Sequence, residues 1–147
     1  MLKKIDHVNV VVSDMARACD FFCKLGFVVM HAGDLEGGWI SAIVGLTDVR
    51  ASYVQLALGE TDCRLELIAF ERPPSPPASL ENRPHHLGIR HVAFEVDDID
   101  ALVARLMDDG TRFFSDVQTY PATGKKLVYF YGPDGIILEF AQYNEAS

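Results

Sequence analysis

Cysteine is scarce in this chain: Cys19, Cys23 and Cys63 are the whole complement, odd in number and without a CxxC motif. That excludes a disulfide-stapled scaffold and leaves three reduced side chains, as expected of a cytoplasmic protein. No stretch approaches the ~18 consecutive apolar residues that a membrane span requires. The N-terminus, Met1-Leu2-Lys3-Lys4, passes directly into a strand-like run over 5–12 and lacks the apolar stretch of a signal peptide. Positive charge is also short, with 13 Lys+Arg against 21 Asp+Glu and a formal charge of −8. Neither nucleic acid nor an anionic membrane is therefore an expected partner, because binding phosphate calls for a basic patch. Tryptophan occurs once, at Trp39, and five of the seven prolines (Pro73, Pro74, Pro76, Pro77, Pro84) crowd into 71–88. Proline fixes φ and removes a donor, so 71–88 reads as an extended connector outside any sheet.

What remains is ample for a core: 147 residues, 49% hydrophobic and 23% charged, the composition of a folded domain rather than a disordered chain. The chain also repeats itself. Ile5-Asp6-His7-Val8-Asn9-Val10-Val11-Val12-Ser13-Asp14 aligns with Ile89-Arg90-His91-Val92-Ala93-Phe94-Glu95-Val96-Asp97-Asp98 at an offset of 84, and Gly26 then falls on Gly110. Each copy reads as strand, acidic cap, helix and glycine stop. The helices are expected over 15–25 and 99–109, capped by Ser13 or Asp14 and by Asp97 or Asp98. Strands follow over 27–31, 51–58 and 63–70 in the first copy, and over 111–114 (extending toward Tyr120), 126–131 and 136–142 in the second. Leu65-Glu66-Leu67 matches Leu138-Glu139-Phe140 at an offset of 73, so the first copy is longer by 11 residues, a surplus assigned to 32–50. The expected architecture is α+β: two βαβββ modules, 5–70 and 89–142, joined by 71–88 into a single domain over 1–147. Each module is small enough that the two are expected to share a core.

Four polar residues interrupt these apolar strands: His7, Glu66, His91 and Glu139. Period-two alternation puts His7 on a face with Ile5 and Asn9, and turns Glu66, His91 and Glu139 away from their apolar neighbours. Any one of them alone reads most simply as a solvated or hydrogen-bonded side chain. As a set they differ, because duplication supplies one histidine and one glutamate at equivalent places in each copy, and pseudo-twofold packing would gather them. Two imidazoles and two carboxylates suit a borderline divalent cation, and four ligands in octahedral geometry leave two positions open for substrate. Tyr53 and Gln55 alternate with Val54, Leu56 and Leu58, while Tyr129 and Lys125 lie on or beside 126–131. These four are candidate substrate-binding residues, with edge or surface positions as the ordinary alternative.

His7-Val8, Lys24-Leu25-Gly26-Phe27, Leu65-Glu66-Leu67, Gly88-Ile89-Arg90-His91-Val92-Ala93-Phe94 and Gly132-Pro133-Asp134-Gly135-Ile136-Ile137-Leu138-Glu139 together resemble the vicinal oxygen chelate superfamily, in particular its glyoxalase I and epimerase branch. The resemblance runs over 5–142. It implies an eight-stranded curved half-barrel (the glyoxalase/bleomycin-resistance/dihydroxybiphenyl dioxygenase fold) and one divalent ion, Ni, Zn, Co, Mn or Fe, held by His7, Glu66, His91 and Glu139. It also implies a homodimer. The full His, Glu, His, Glu set is similar to that of the isomerases, in which a chelated enediolate forms when a C–H next to a carbonyl loses its proton. Glu139 or Glu66 would then serve as ligand and base, on a small-molecule carbonyl substrate. An iron-dependent extradiol-type dioxygenase using His7, His91 and Glu139 is the first alternative. A bleomycin-resistance-like binding protein, stacking a ligand on Trp39, Tyr53 and Phe70, is the second. The arginine that glyoxalase I relatives carry after the first helix has no counterpart in Phe27-Val28-Val29-Met30-His31.

Overall fold

A computed structural model describes residues 1–78 and 82–144 of the chain. They form two compact units, Met1–Pro77 and Ala78–Ser147. The part of the expected connector at 79–81, and the last three residues of the expected domain, lie outside the described residues.

In the first unit the order is β1 (His7–Val11), α1 (Met15–Lys24), β2 (Val28–Glu36), α2 (Gly38–Val44), β3 (Arg50–Ala57) and β4 (Arg64–Arg72). Asp14, rather than Ser13, caps α1, its carboxylate accepting from the Arg17 amide at 3.0 Å. The helix turns Ala18 and Phe22 inward, and Phe22 meets Phe27 edge-on with ring centres 5.5 Å apart. Gly26, at φ +100°, supplies the left-handed residue that ends the helix. The sheet order is β1-β4-β3-β2, with β1 parallel to β4 and the other pairs antiparallel. Leu56, Leu65 and Leu67 are buried with Phe22, which leaves the alternate residues of β3 and β4, including Gln55 and Glu66, on the opposite face.

The second unit repeats the plan with β5 (His91–Glu95), α3 (Ile99–Asp108), β6 (Gln118–Thr119), β7 (Lys126–Tyr131) and β8 (Ile137–Gln142), in the order β5-β8-β7-β6. Here Asp98 caps, accepting from the Ala101 amide at 3.0 Å, and Gly110 at φ +84° terminates. Ile99, Leu106, Phe130, Leu138 and Phe140 are buried. The described residues thus contain eight strands in two mixed four-stranded sheets, with three α-helices, as the α+β reading expects.

Three expectations need correction. The run over 111–114 is not a regular strand: it touches β7 through one isolated bridge, Phe113 to Phe130, and the fourth strand is the two-residue β6. Residues 112 and 114 bond to β7 in part (Phe114 N–H to Tyr129 O, 2.9 Å; Tyr131 N–H to Arg112 O, 3.0 Å), and the chain then bends at Ser115-Asp116. The strand expected over 27–31 is longer, running Val28–Glu36, and α2 follows it within the 32–50 surplus. Seven residues between Gly37 and Gly45 carry too few turns to display a helical period. The connector also begins later than 71, since β4 runs through Arg72.

Candidate metal and proton-transfer site

β1 and β4 lie side by side in parallel register, with Asn9 opposite Glu66 and His7 opposite Arg64. β5 and β8 repeat this register, with Ala93 opposite Glu139 and His91 opposite Ile137. In both units the histidine therefore stands two residues before the position that faces the glutamate, on the same side of the sheet. His7 Nε2 lies 3.7 Å from Glu66 Oε1, and His91 Nε2 lies 3.0 Å from Glu139 Oε2. Within each unit, one histidine and one glutamate of the expected four-residue set are brought together.

The surroundings of the two pairs differ. Around Glu66 the contacts are polar: Asn9 Nδ2 donates to Glu66 Oε1 at 3.3 Å, and Gln55 faces Glu66 across β3–β4. The Asp6 carboxylate takes the other ring nitrogen of His7, with Nδ1 to Oδ2 at 2.8 Å. That hydrogen bond is the main cause holding the His7 imidazole above its ordinary pKa, with the charge of Glu66 adding to it. In the neutral ring it assigns the proton to Nδ1 and leaves the Nε2 lone pair toward Glu66. Alternation places Asn9 on the face of His7, but nothing in the sequence says that Asn9 would hold Glu66.

Glu139 is more enclosed, at 5% exposure the one charged residue in the described core. Lys125 Nζ stands 3.6 Å from Glu139 Oε1 and 4.9 Å from the centre of the Tyr143 ring. A hydrogen bond with Tyr143 first, and then the Glu139 charge, keep the ammonium above its ordinary pKa against the opposing effect of burial. Tyr129 pairs with Glu139 in register, and its ring centre is 4.8 Å from that of His91. Burial, then the Glu139 charge, raises the Tyr129 phenol. Of the four candidate substrate residues, the structure brings Lys125 and Tyr129 to Glu139 and Gln55 to Glu66. Tyr53 lies two residues before Gln55 on the same face of β3: it pairs with Gly33 and Ile68, and its ring meets His31 edge-on at 5.6 Å. A cavity of about 520 Å³ opens beside Lys125 and Tyr129, walled by Phe114, Tyr120 and Leu127.

The donor sets fit a divalent cation in kind. Two donors bound at about 2.1 Å and at right angles lie about 3 Å apart, close to the His91–Glu139 separation, and the His7–Glu66 pair needs only a small closure. An imidazole nitrogen and a carboxylate oxygen are also the ligands that borderline ions prefer. Among the described residues no three His, Cys, Asp or Glu side chains are grouped so that they could hold a metal ion, so each pair by itself supplies one nitrogen and one oxygen. No helix is long and apolar enough to cross a membrane among those residues.

The chain is similar to known proteins over nearly its whole length. The chain is 31% identical over 141 residues to the Uncharacterized protein YaeR of Escherichia coli (strain K12), which covers 94% of this chain and 95% of that protein. It is 29% identical over 143 residues to mitochondrial methylmalonyl-CoA epimerase of Mus musculus, covering 96% of this chain and 74% of the epimerase. A crystal structure of a glyoxalase family protein from Bacillus cereus superimposes with a TM-score of 0.88 at 27% identity, over 97% of this chain and 95% of that one. Residues 4–140 match the sequence pattern of the Glyoxalase/Bleomycin resistance protein/Dioxygenase superfamily. The chain belongs to that superfamily.

Proposed function

We propose that the protein is a divalent-metal-dependent isomerase or epimerase that moves a proton next to a carbonyl in a small-molecule substrate. The observation that carries this reading is the repetition of one His–Glu pair, in the same parallel-strand register, in both units. Duplicated folds retain apolar strand faces for packing, whereas a duplicated imidazole–carboxylate pair needs a chemical reason. Similarity to methylmalonyl-CoA epimerase supports the same class of reaction.

Each pair, His7 with Glu66 and His91 with Glu139, would offer a cation one nitrogen and one oxygen. Bound there, it would supply Lewis-acid polarisation of the substrate carbonyl. The chain's own part is proton transfer. Glu139, enclosed and flanked by Lys125, has the setting of a carboxylate that takes a proton from carbon and returns it, with the ammonium offsetting its charge. Glu66, anchored by Asn9, occupies the matching place in the first unit and is the second candidate for that role. A ring-cleaving reading would leave Glu66 without a task, although β4 sets it against His7.

Replacing Glu66 and Glu139 separately with Gln should lower turnover by roughly 10²-fold or more, the usual scale of acid–base catalysis, with substrate binding much less affected. Exchange of the substrate C–H with D₂O is the measurement, and full activity in both variants would sink the proposal.

A further inference from the structure

We propose that the cavity beside Tyr129 selects a small monoanionic acid with a flat apolar portion, its carboxylate held by Lys125 and its body lying between Phe114, Tyr120 and Leu127. This deepens the proton-transfer reading and rests on it, because it names the substrate class for the same site. At about 520 Å³ the cavity is within the range of small-ligand pockets. Its walls are mostly aromatic and aliphatic, with Ser115, Gln118 and Thr119 as neutral polar groups, and Lys125 is the one charged side chain among the described residues that line it. A ligand with several charges would have to leave all but one of them unpaired against those walls, which is costly. A neutral ligand would forgo the ammonium.

Lys125 is able to bind it. Its Nζ carries three donors: Tyr143 engages one, and Glu139 Oε1 stands 3.6 Å away, longer than a normal N–H···O bond, so donor capacity remains for a ligand. An acid group on Lys125 would lie near Glu139, whose Oε1 is 3.6 Å from Nζ, and this aims the atoms beside that group, rather than the apolar end, at the proton-transfer carboxylate. The rings favour a planar body: Phe114 meets Tyr129 edge-on with centres 6.0 Å apart, and aromatic walls gain most from stacked or edge-on rings.

Equilibrium binding to the full chain, measured by titration calorimetry, separates the terms with three probes: phenylacetate, its neutral amide phenylacetamide, and acetate. Phenylacetate should bind at least tenfold more tightly than either of the others. Lys125→Met should erase the preference for the acid over the amide, and Lys125→Arg should keep it. Equal affinity for acid and amide, or an undiminished preference in Lys125→Met, overturns the assignment. Both readouts are independent of turnover. A failure here leaves the proton-transfer reading standing, and full activity of the two Glu→Gln variants would sink that reading without changing the selectivity for phenylacetate.

Discussion

At His7 the chemistry is set by two carboxylates on opposite edges of one ring. Asp6 takes Nδ1 at 2.8 Å while Glu66 faces Nε2 at 3.7 Å, so in the metal-free protein a protonated ring can answer both. The His7 pKa is raised in the fold, chiefly by Asp6. Its contribution to stability is therefore fully present below the ordinary histidine value of about 6.5 and is lost as pH rises through the higher folded value. The Asp6 carboxyl is held low, first by the same hydrogen bond, so its contribution is present above the ordinary carboxylate range and is lost as pH falls through the lowered value. Between these limits both partners are charged. Asp6→Asn should bring the His7 titration back toward ordinary, read from its ring proton by NMR in metal-free protein. The same substitution should destabilise more at pH 5 than at pH 9 in denaturant titrations. An equal loss at both would mean that the Asp6–His7 bond does not act through charge.

The helix stops show how much of an element rests on one backbone angle. Gly110 ends α3 at φ +84°, and a Cβ placed there would meet nothing within 4 Å. The cost of Gly110→Ala is thus purely conformational, about 1–2 kcal/mol from thermal or denaturant unfolding. Gly38, in the first turn of α2, also has open space around it but no positive φ. Gly38→Ala should be neutral or slightly stabilising, by up to about 1 kcal/mol, because alanine is the better helix former. Similar losses in both variants would show that side-chain space, rather than φ, governs these positions. The contrast also shows why α3 is plain in the sequence and α2 is not. Ile99, Leu102, Val103, Leu106 and Met107 spell a helical stripe between an acidic cap and a glycine, whereas α2 has seven residues between two glycines.

For the molecule as a whole, the proposal that His7, Glu66, His91 and Glu139 are metal ligands is tested by metal content. His7→Ala, Glu66→Ala, His91→Ala and Glu139→Ala should each lower the metal retained after reconstitution, as read by elemental analysis of the purified protein. Retention in Glu66→Ala alone would favour the dioxygenase alternative, and no metal in any preparation, wild type included, would favour ligand binding without catalysis. The doubled strand–cap–helix–glycine pattern already determines a two-module α+β chain, and the alternation along each strand determines which face His7, Glu66, His91 and Glu139 occupy. Those properties are legible because they recur at fixed spacing along one chain. Tertiary structure alone decided what lies sideways across a sheet: that Asn9 stands against Glu66, that Lys125 and Tyr129 reach Glu139 while Tyr53 meets Gly33 and His31, and that a cavity opens beside Lys125. Strand register is fixed by hydrogen bonding between segments far apart in sequence, and no local period records which residue will become another's neighbour.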